Sequence, residues 1–293
     1  MRRLAAFTLF LAAGAFAEEK VTIAIYAPNA PFESGDARYS FVSRLAQQVT
    51  SVAGVQAEPK AFVRAGDFEA AIKKNQIDFA VVDGVYLAER GVPFTILAAA
   101  SAGGDTSAHW SLYSTESGGV LELRGKKLAL AATGSKDAQF VDNALLEGEL
   151  QKLFASRVNA PDIASAVAAV SLKKAECVFA PDALGKGLRK VFDAGRVPNP
   201  AFVAVKTLPP ALVEKVRRAV MAHTASGAFD GWRAGSPDPY KVLGGRMAAR
   251  ARRPVMAEPQ AVPVETGDAL VPQPFEPASL DLKDQFWSPT GTP

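Results

Sequence analysis

Side chains that could do catalysis or bind a metal are few in this sequence and are not spaced for either task. The two histidines, His109 and His223, have no second metal ligand at helical or turn spacing. The single cysteine, Cys177, lies in an apolar stretch, which is typical of an inert buried thiol. No G-x-S-x-G elbow or glycine-rich phosphate loop is present, and nothing sets the acid pair Asp78 and Asp83 facing a substrate. The sequence therefore predicts no enzyme, no cofactor and no metal site.

The first residues have the pattern of a secretory signal. Arg2 and Arg3 precede an uncharged apolar run over residues 4–16, which is too short to span a bilayer. The run ends in a small-x-small tripeptide, so we predict that residues 1–17 are a signal peptide cleaved after Ala17. Because no cysteine stands at the cleavage site, we expect a soluble periplasmic protein without a lipid anchor. A buried N-terminal helix is the alternative interpretation.

The charge balance argues against a general polyanion-binding surface. The chain has 33 Lys+Arg and 30 Asp+Glu, and cleavage would remove two arginines, leaving 31 against 30. A nucleic-acid or anionic-membrane surface would need a much larger basic excess. We therefore expect no nucleic-acid partner.

The hydrophobic pattern alternates between short β-rich runs and amphipathic helical stretches, which indicates an α/β sheet with parallel crossovers. A long helix is predicted from the Thr133-Gly134-Ser135 turn to about residue 155. The other main elements are predicted strands at residues 21–26, 57–63, 77–82, 128–132, 177–180 and 202–205 and helices after residues 40, 67, 162 and 210.

Two breaks in this pattern predict a two-lobed molecule. The small, glycine-containing residues 101–107 and the rigid Val197-Pro198-Asn199-Pro200 connector both interrupt the alternation. If the chain crosses between lobes at each break, lobe one comprises residues 18–104 and 199–253, and lobe two comprises residues 105–198. Residues 254–293 carry many prolines and no usable period, so they are predicted to form an extended tail.

Four stretches of the sequence, in this order, resemble the type II periplasmic binding proteins, and within them the phosphate/phosphonate-type substrate-binding family of ABC importers. Together they cover about four fifths of the chain. They are the buried strand and Tyr-bearing helix start at residues 74–86, the Leu-Arg-Gly-Lys-Lys-Leu-Ala turn at 123–129, the helix-then-strand unit at 163–180, and the return strand with its Leu-Pro-Pro helix start at 197–217.

The resemblance implies two lobes that hold a small molecule between the carboxyl ends of strands from both. The residues that it places there are Asn29, Phe32, Asp83 and Tyr86 in lobe one, His109 on the crossing strand, and Thr133, Ser135, Lys136 and Asp182 in lobe two. The Thr133 and Ser135 hydroxyls could equally be simple helix caps, and Tyr86 could be a half-buried core aromatic.

The ligand class stays open because the sequence departs from the phosphonate binders. Those proteins usually have a Ser/Thr-Ser-Gly run where this chain has Thr133-Gly134-Ser135-Lys136-Asp137. Asp83 would also repel a dianion unless Lys136 or Arg38 offsets its charge. An amine or a zwitterion fits these mixed charges at least as well as a phosphonate.

Two functions follow from the resemblance. The first is a monomeric receptor that closes on its ligand and is recognised transiently by an inner-membrane ABC permease. The second is a non-transport sensor or interaction module with a degenerate cleft, in which the tail or an arginine cluster would carry the binding. That cluster, which could equally be a solvated helix end, comprises Arg246, Arg250, Arg252 and Arg253.

Overall fold

The computed structural model describes residues 19–116, 118–148, 153–224 and 227–249, which form two β-sheets with flanking helices. The strands are β1 Lys20–Tyr26, β2 Gln56–Ala61, β3 Phe79–Val82, β4 Thr95–Ser101, β5 Ser107–Ser114, β6 Lys127–Ala131, β7 Ser156–Ala160, β8 Cys177–Pro181, β9 Arg189–Pro198, β10 Ala201–Ala204 and β11 Gly231–Ala234.

Within the described ranges, seven α-helices and three shorter helical segments lie between or after these strands. The α-helices are α1 Gly35–Ala53, α2 Ala65–Lys73, α3 Gly84–Glu89, α4 Asp137–Gln139, α5 Ile163–Ser171, α6 Pro210–Met221 and α7 Asp238–Ala248. The shorter segments are the 3-10 turns Val120–Leu123 and Asp182–Leu184 and the π-helical turn Phe140–Leu145.

Lobe one is built on a six-stranded sheet with the order β11-β4-β10-β3-β1-β2. β1 pairs in parallel with β2 and β3, whereas β10 runs antiparallel to β3 and β4. The carboxyl ends of β1 and β3 therefore lie side by side. Because helices cover both faces, the central strands are buried on both sides, which explains the continuous apolar run of β3.

Lobe two is built on a five-stranded sheet with the order β7-β6-β8-β5-β9. β6 pairs in parallel with β7 and β8, and β5 runs antiparallel to β8 and β9. This pairing places the residues after β6 and β8 at one edge of the sheet, where side chains of several loops can meet.

The chain passes from lobe one to lobe two between β4 and β5, and returns between β9 and β10. Asn199, in the return segment, is 4 % exposed and donates from Nδ2 to the carbonyl oxygens of Ala100 at 3.1 Å and Asp105 at 3.2 Å. The Asn199 carbonyl in turn accepts from the Tyr240 hydroxyl at 3.0 Å. One buried amide therefore ties the two crossing segments together.

Helix α7 contacts both lobes. Tyr240 packs in the core of lobe one, while Leu243 and Met247 belong to the hydrophobic cluster of lobe two. Asn143 in lobe two donates to the Met247 carbonyl at 2.7 Å, and Arg246 donates to the Ala144 carbonyl. The lobe-two core also includes Val85 and Ala88 of α3, so apolar packing continues across the lobe boundary.

The two-lobed α/β architecture predicted from the sequence is confirmed by these two sheets. The long helix predicted from residue 133 is wrong, because helical structure there ends at Leu145 and strand β7 follows at Ser156. Glu147 and Gly148 both have positive φ, at 52° and 74°, and a left-handed pair cannot continue a right-handed helix.

Several sequence predictions lie outside the described residues. They are the signal peptide at residues 1–17, the proline-rich tail at 254–293, and the arginines 250, 252 and 253. Within the described part of the chain, no helix has both the length and the apolar character that a membrane span requires.

Gly84 and Gly66 provide a matched test of the packing between α3 and the return crossing. A Cβ on Gly84 would overlap the carbonyl oxygen of Pro198, whereas a Cβ on Gly66 in α2 would meet nothing within 4 Å. We expect Gly84→Ala to lower the free energy of unfolding by about 1–3 kcal/mol. Gly66→Ala should raise it by about 0.5–1 kcal/mol. Urea denaturation measures both, and equal effects would contradict the close approach.

Candidate functional site

The candidate site lies where the loops after β1 and β3 in lobe one meet the loop after β6 in lobe two. Asp83 follows β3 directly, is 1 % exposed, and caps α3 by accepting from the Val85 amide at 2.9 Å. Its carboxylate also accepts from the Asn29 amide at 2.8 Å and from Asn29 Nδ2 at 3.2 Å. The loop after β1 is therefore fixed to the start of α3 by one buried carboxylate.

Two hydrogen bonds carry this network across the lobe boundary to Thr133. Asn29 Nδ2 donates to Thr133 Oγ1 at 2.6 Å, and the Tyr26 hydroxyl donates to the Thr133 carbonyl at 2.6 Å. Thr133 is 1 % exposed. Three of the residues predicted at the ligand site, Asn29, Asp83 and Thr133, are thus brought together, and they bind one another.

The backbone amides of the loop after β6 are also bound by side chains of the protein. The Thr133 and Gly134 amides donate to the Asp137 carboxylate at 3.2 Å. The Ser135 amide and hydroxyl donate to Glu89 Oε1 at 2.9 Å and 2.7 Å. Lys136 Nζ donates to the Glu89 carbonyl at 3.1 Å. Amides of this kind can hold an oxyanion, and here carboxylates already occupy them.

Burial raises the pKa values of Asp137 and Asp83 above their ordinary value. It raises the pKa of Asp137 from 3.8 to about 6, against the lowering effect of hydrogen bonds from Thr133 and Gly134, and the charges of Glu89 and Asp83 raise it further. Burial likewise raises the pKa of Asp83 despite its hydrogen bonds to Asn29 and the start of α3. The pKa of Tyr26 is raised by burial and by the neighbouring carboxylates, so Tyr26 stays a neutral donor.

An ion pair between a buried arginine and a partly exposed aspartate, whose side chains are 3 % and 16 % exposed, joins the lobes beside this network. Arg38 of α1 is 3 % exposed, and its Nη2 lies 2.6 Å from Asp162 Oδ2. Asp162 also caps α5 by accepting from the Ser165 amide at 2.9 Å. Next to the pair, the Ile163 amide donates to the Pro28 carbonyl at 2.8 Å. The same aspartate therefore holds a helix end in lobe two and a cation from lobe one.

The cavity enclosed directly beside Asn29 and Asp83 is very small. A cavity of about 20 Å³ is lined on one side by Asn29 and Asp83 and on the other by Trp110 and Pro181. One water molecule needs roughly 10–15 Å³ of such space, while pockets for small-molecule ligands are about 300–1,000 Å³. In the described conformation this cavity can hold a water molecule and no larger solute. Two wider pockets also lie at the lobe boundary: one of about 560 Å³ beside Arg90 and Ser135, and one of about 660 Å³ beside Phe32 and Lys186.

His109 and Asp182 lie in a separate polar cluster on lobe two. Asp182 Oδ1 accepts from the Ser111 and Tyr113 hydroxyls, each at 2.7 Å, and its Oδ2 is 3.4 Å from His109 Nδ1. His109 Nε2 is also 3.4 Å from Asp193 Oδ1. Among the described residues, no hydrogen bond or ion pair joins this cluster to the Asn29 network.

Phe32 and Tyr86 are packed into lobe one. The Phe32 ring centroid lies 5.4 Å from that of Phe41 and 5.9 Å from that of Phe229. Tyr86 is 3 % exposed, and its ring packs 5.3 Å from Tyr26. These two rings have the environment of core aromatics, which for Tyr86 is one of the two alternatives that the sequence left open.

Sequence reasoning missed Glu89, Asp137 and Asp162 as members of the site. Glu89 ends α3 with no local signal of its role, because its partner Ser135 is 46 residues away in the sequence. Arg38 carries a signal that was available: it precedes Phe41 and Val42 by three and four residues, which places its guanidinium on the buried face of α1.

The arrangement described so far defines a class: two α/β lobes, two crossings and a polar interlobe region at the carboxyl ends of the strands. Comparison of the structure with solved structures places the chain in the fold of the two-lobed type II periplasmic binding proteins. The resemblance stated from the sequence is thereby confirmed at the level of the fold. A scan against protein-family models gives no match, and a search of curated proteins also gives none.

Three similar structures illustrate this relationship. PhnD1 from Prochlorococcus marinus, solved with methylphosphonate, has a TM-score of 0.62 and 9 % identity, over 78 % of this chain and 97 % of that chain. A binding protein of a phosphonate ABC transporter from Pseudomonas aeruginosa has a TM-score of 0.60 and 12 % identity, over 78 % and 88 %. XAC2383 from Xanthomonas citri, solved with chloride, has a TM-score of 0.57 and 13 % identity, over 78 % and 97 %.

Asp137→Asn tests the half-buried acid in the loop after β6. Because the folded-state pKa, about 6, lies above the ordinary value of 3.8, the folded protein binds this proton more tightly than the unfolded chain does. Wild-type stability should therefore fall as pH rises through this window, and the variant lacks that contribution. Urea unfolding should show the stability of the wild type relative to Asp137→Asn decreasing between about pH 4 and pH 6 and constant above. A pH-independent difference would contradict the burial of this acid.

Asp162→Asn tests the interlobe ion pair, because asparagine keeps the cap of α5 but removes the charge that neutralises Arg38. We expect a loss of about 3 kcal/mol in the free energy of unfolding, part of which Arg38→Met should restore in the double variant. The matched control is Asp105→Asn at the exposed pair with Arg196, whose side chains are 58 % and 57 % exposed. That change should cost under about 1 kcal/mol. Similar losses of stability in Asp162→Asn and Asp105→Asn would contradict the assignment of a solvent-shielded ion pair between Asp162 and Arg38.

Proposed function

We propose that this protein is an exported periplasmic solute-binding protein that captures a small polar or anionic solute between its lobes and delivers it to an inner-membrane ABC permease. The observation that carries the proposal is the meeting of polar groups from both lobes at Thr133. There Tyr26 and Asn29 of lobe one reach the loop that follows β6 of lobe two. Facing strand ends of this kind are where α/β folds bind ligands.

The likeness to PhnD1 with methylphosphonate and to the phosphonate-transporter protein supports this class of function. It also makes a phosphonate-like solute one candidate ligand. The charges of the cleft support an amine or a zwitterion as the other, because Asp83, Glu89 and Asp137 all place carboxylates near the lobe boundary. Capture requires that the solute binds the closed arrangement better than the open one.

A second candidate function is favoured by the size of the interlobe cavity. Only about 20 Å³ is free beside Asn29 and Asp83, so the protein's own side chains fill this part of the cleft in the described conformation, whereas the pockets beside Ser135 and Phe32 are wider. A sensor or interaction module that no longer binds a solute would have such a filled cleft. In that case the tail or the arginine cluster defined above would carry the binding.

A thermal-shift panel of phosphonates, amines, amino acids and vitamins separates the two functions. For the solute receptor, at least one compound at 100 times its dissociation constant should stabilise the protein by about 2.7 kcal/mol. At this chain length such a gain raises the Tm by about 5 °C or more. A panel that leaves the Tm unchanged throughout would favour the module.

Deletion of residues 256–293 is the companion experiment. A solute receptor should keep its ligand affinity without the tail, since the groups that meet at the lobe boundary all lie earlier in the chain. Isothermal titration of the full-length and truncated proteins with the stabilising compound measures this. A loss of affinity on truncation would count against the interlobe site.

A further inference from the structure

Among the residues that the structure describes, Glu89 is the one carboxylate that reaches an amide of the loop after β6 from the opposite lobe. It is the last residue of α3 in lobe one, and it is 7 % exposed. Its Oε1 accepts both the amide and the hydroxyl of Ser135 in lobe two, at 2.9 Å and 2.7 Å. Two donors converging on one oxygen is the arrangement in which proteins hold a bound carboxylate or phosphonate oxygen.

The loop is shaped to admit this carboxylate. A Cβ on Gly134 would overlap Oε2 and the carboxyl carbon of Glu89, so no residue other than glycine fits without moving the acid. Glu89 Oε2 is buried and has no hydrogen-bond partner among the described residues. Burying Oε2 without a partner is unfavourable. The hydrogen bonds to Oε1 must therefore offset that cost and hold the carboxylate in place.

Neighbouring acids occupy the other donors in a different way. Asp137 binds the Thr133 and Gly134 amides from within the same loop, and Asp83 binds the Val85 amide from within its own helix start. These contacts persist when the lobes separate. The contact between Glu89 and Ser135 does not, because its two partners belong to different lobes.

We propose that Glu89 is a specificity-determining residue that acts as a built-in ligand: its carboxylate occupies an oxyanion subsite formed by the amide and hydroxyl of Ser135. An anionic headgroup must displace Glu89 to bind there. The inference rests on the proposed solute-binding function and narrows its candidate ligands. The wild-type subsite disfavours free carboxylates and phosphonates, which favours an amine over the phosphonate-like candidate.

Glu89 competes with a free anion for Ser135, and it is favoured because it belongs to the same chain. A group attached to the same chain competes at an effective concentration in the millimolar range or above, so a free anion of equal intrinsic affinity is outcompeted at lower concentrations. Removing the carboxylate should therefore strengthen anion binding at Ser135 by at least about tenfold. The wild-type protein should respond weakly to the same anions.

The test is a titration of the full-length wild type and Glu89→Ala with acetate and, separately, with methylphosphonate. The readouts are the Tm and the backbone amide resonance of Ser135. We expect saturable stabilisation and a shift of the Ser135 resonance in Glu89→Ala, with an apparent Kd at least about tenfold lower than in the wild type. A response to both anions indicates a general oxyanion subsite. A response to acetate alone or to methylphosphonate alone indicates a subsite for carboxylates or for phosphonates.

Three further variants locate the effect. Glu214→Ala removes an exposed acid from α6, and it should behave as the wild type if general charge is not the cause. Ser135→Ala in the Glu89→Ala background should weaken the new binding several-fold, since one of two donors is lost. Glu89→Gln keeps the shape and a neutral acceptor, so its apparent Kd should lie between those of the wild type and Glu89→Ala. It also carries the test if the alanine variant does not fold.

The proposal is overturned if neither Glu89 variant binds either anion better than the wild type, or if Ser135→Ala leaves the new binding unchanged. This outcome is distinct from failure of the proposed function. A wild type that binds a panel solute while the Glu89 variants gain nothing would leave the receptor function standing without this subsite. If no panel compound stabilises the wild type but Glu89→Ala gains anion binding, the subsite stands and the receptor function does not.

Discussion

The pairing of buried carboxylates with backbone amides is the interaction on which the closed structure depends. Asp83 holds the loop after β1 to the start of α3, and Asp137 holds the loop after β6. Glu89 then connects the two lobes through Ser135. Buried carboxylates are unfavourable unless they are hydrogen-bonded, so these contacts favour the observed arrangement of each loop. The polar groups that could bind a solute are therefore held in place by the protein's own acids.

The same chemistry explains why the polar groups beside Thr133 and Ser135 already have partners within the protein. Amide groups at the starts of helices and at strand ends attract negative charge, whether it belongs to a solute or to a side chain. In this chain the negative charge comes from the carboxylates of Asp83, Glu89 and Asp137. The glycine at position 134, where the phosphonate binders that the sequence resembles usually have serine, leaves the space that the Glu89 carboxylate fills.

Much of the fold could be predicted from the sequence, because it depends on local signals. The apolar runs of β1 and β3, the helical stripe of α1 and the two breaks near residues 101 and 198 all lie within short windows. Strand β9 was harder, since its charged sequence lacks the apolar alternation of a half-buried strand. The site was predicted only in part. Asn29, Asp83, Thr133 and Ser135 follow strand ends, but the partners that bind them come from distant positions that no local pattern connects.

Helix α7 has a consequence for any motion of the two lobes. It leaves lobe one after β11, yet it buries Leu243 and Met247 among the apolar side chains of lobe two. Pulling it free would expose two large side chains to water, at a cost of about 1.5–3 kcal/mol each. A swing that keeps α7 seated against the far lobe avoids that cost, and Tyr240, anchored to the Asn199 carbonyl, then lies near the pivot. The contacts of α7 with both lobes would therefore limit both the axis and the amplitude of any rotation of one lobe relative to the other.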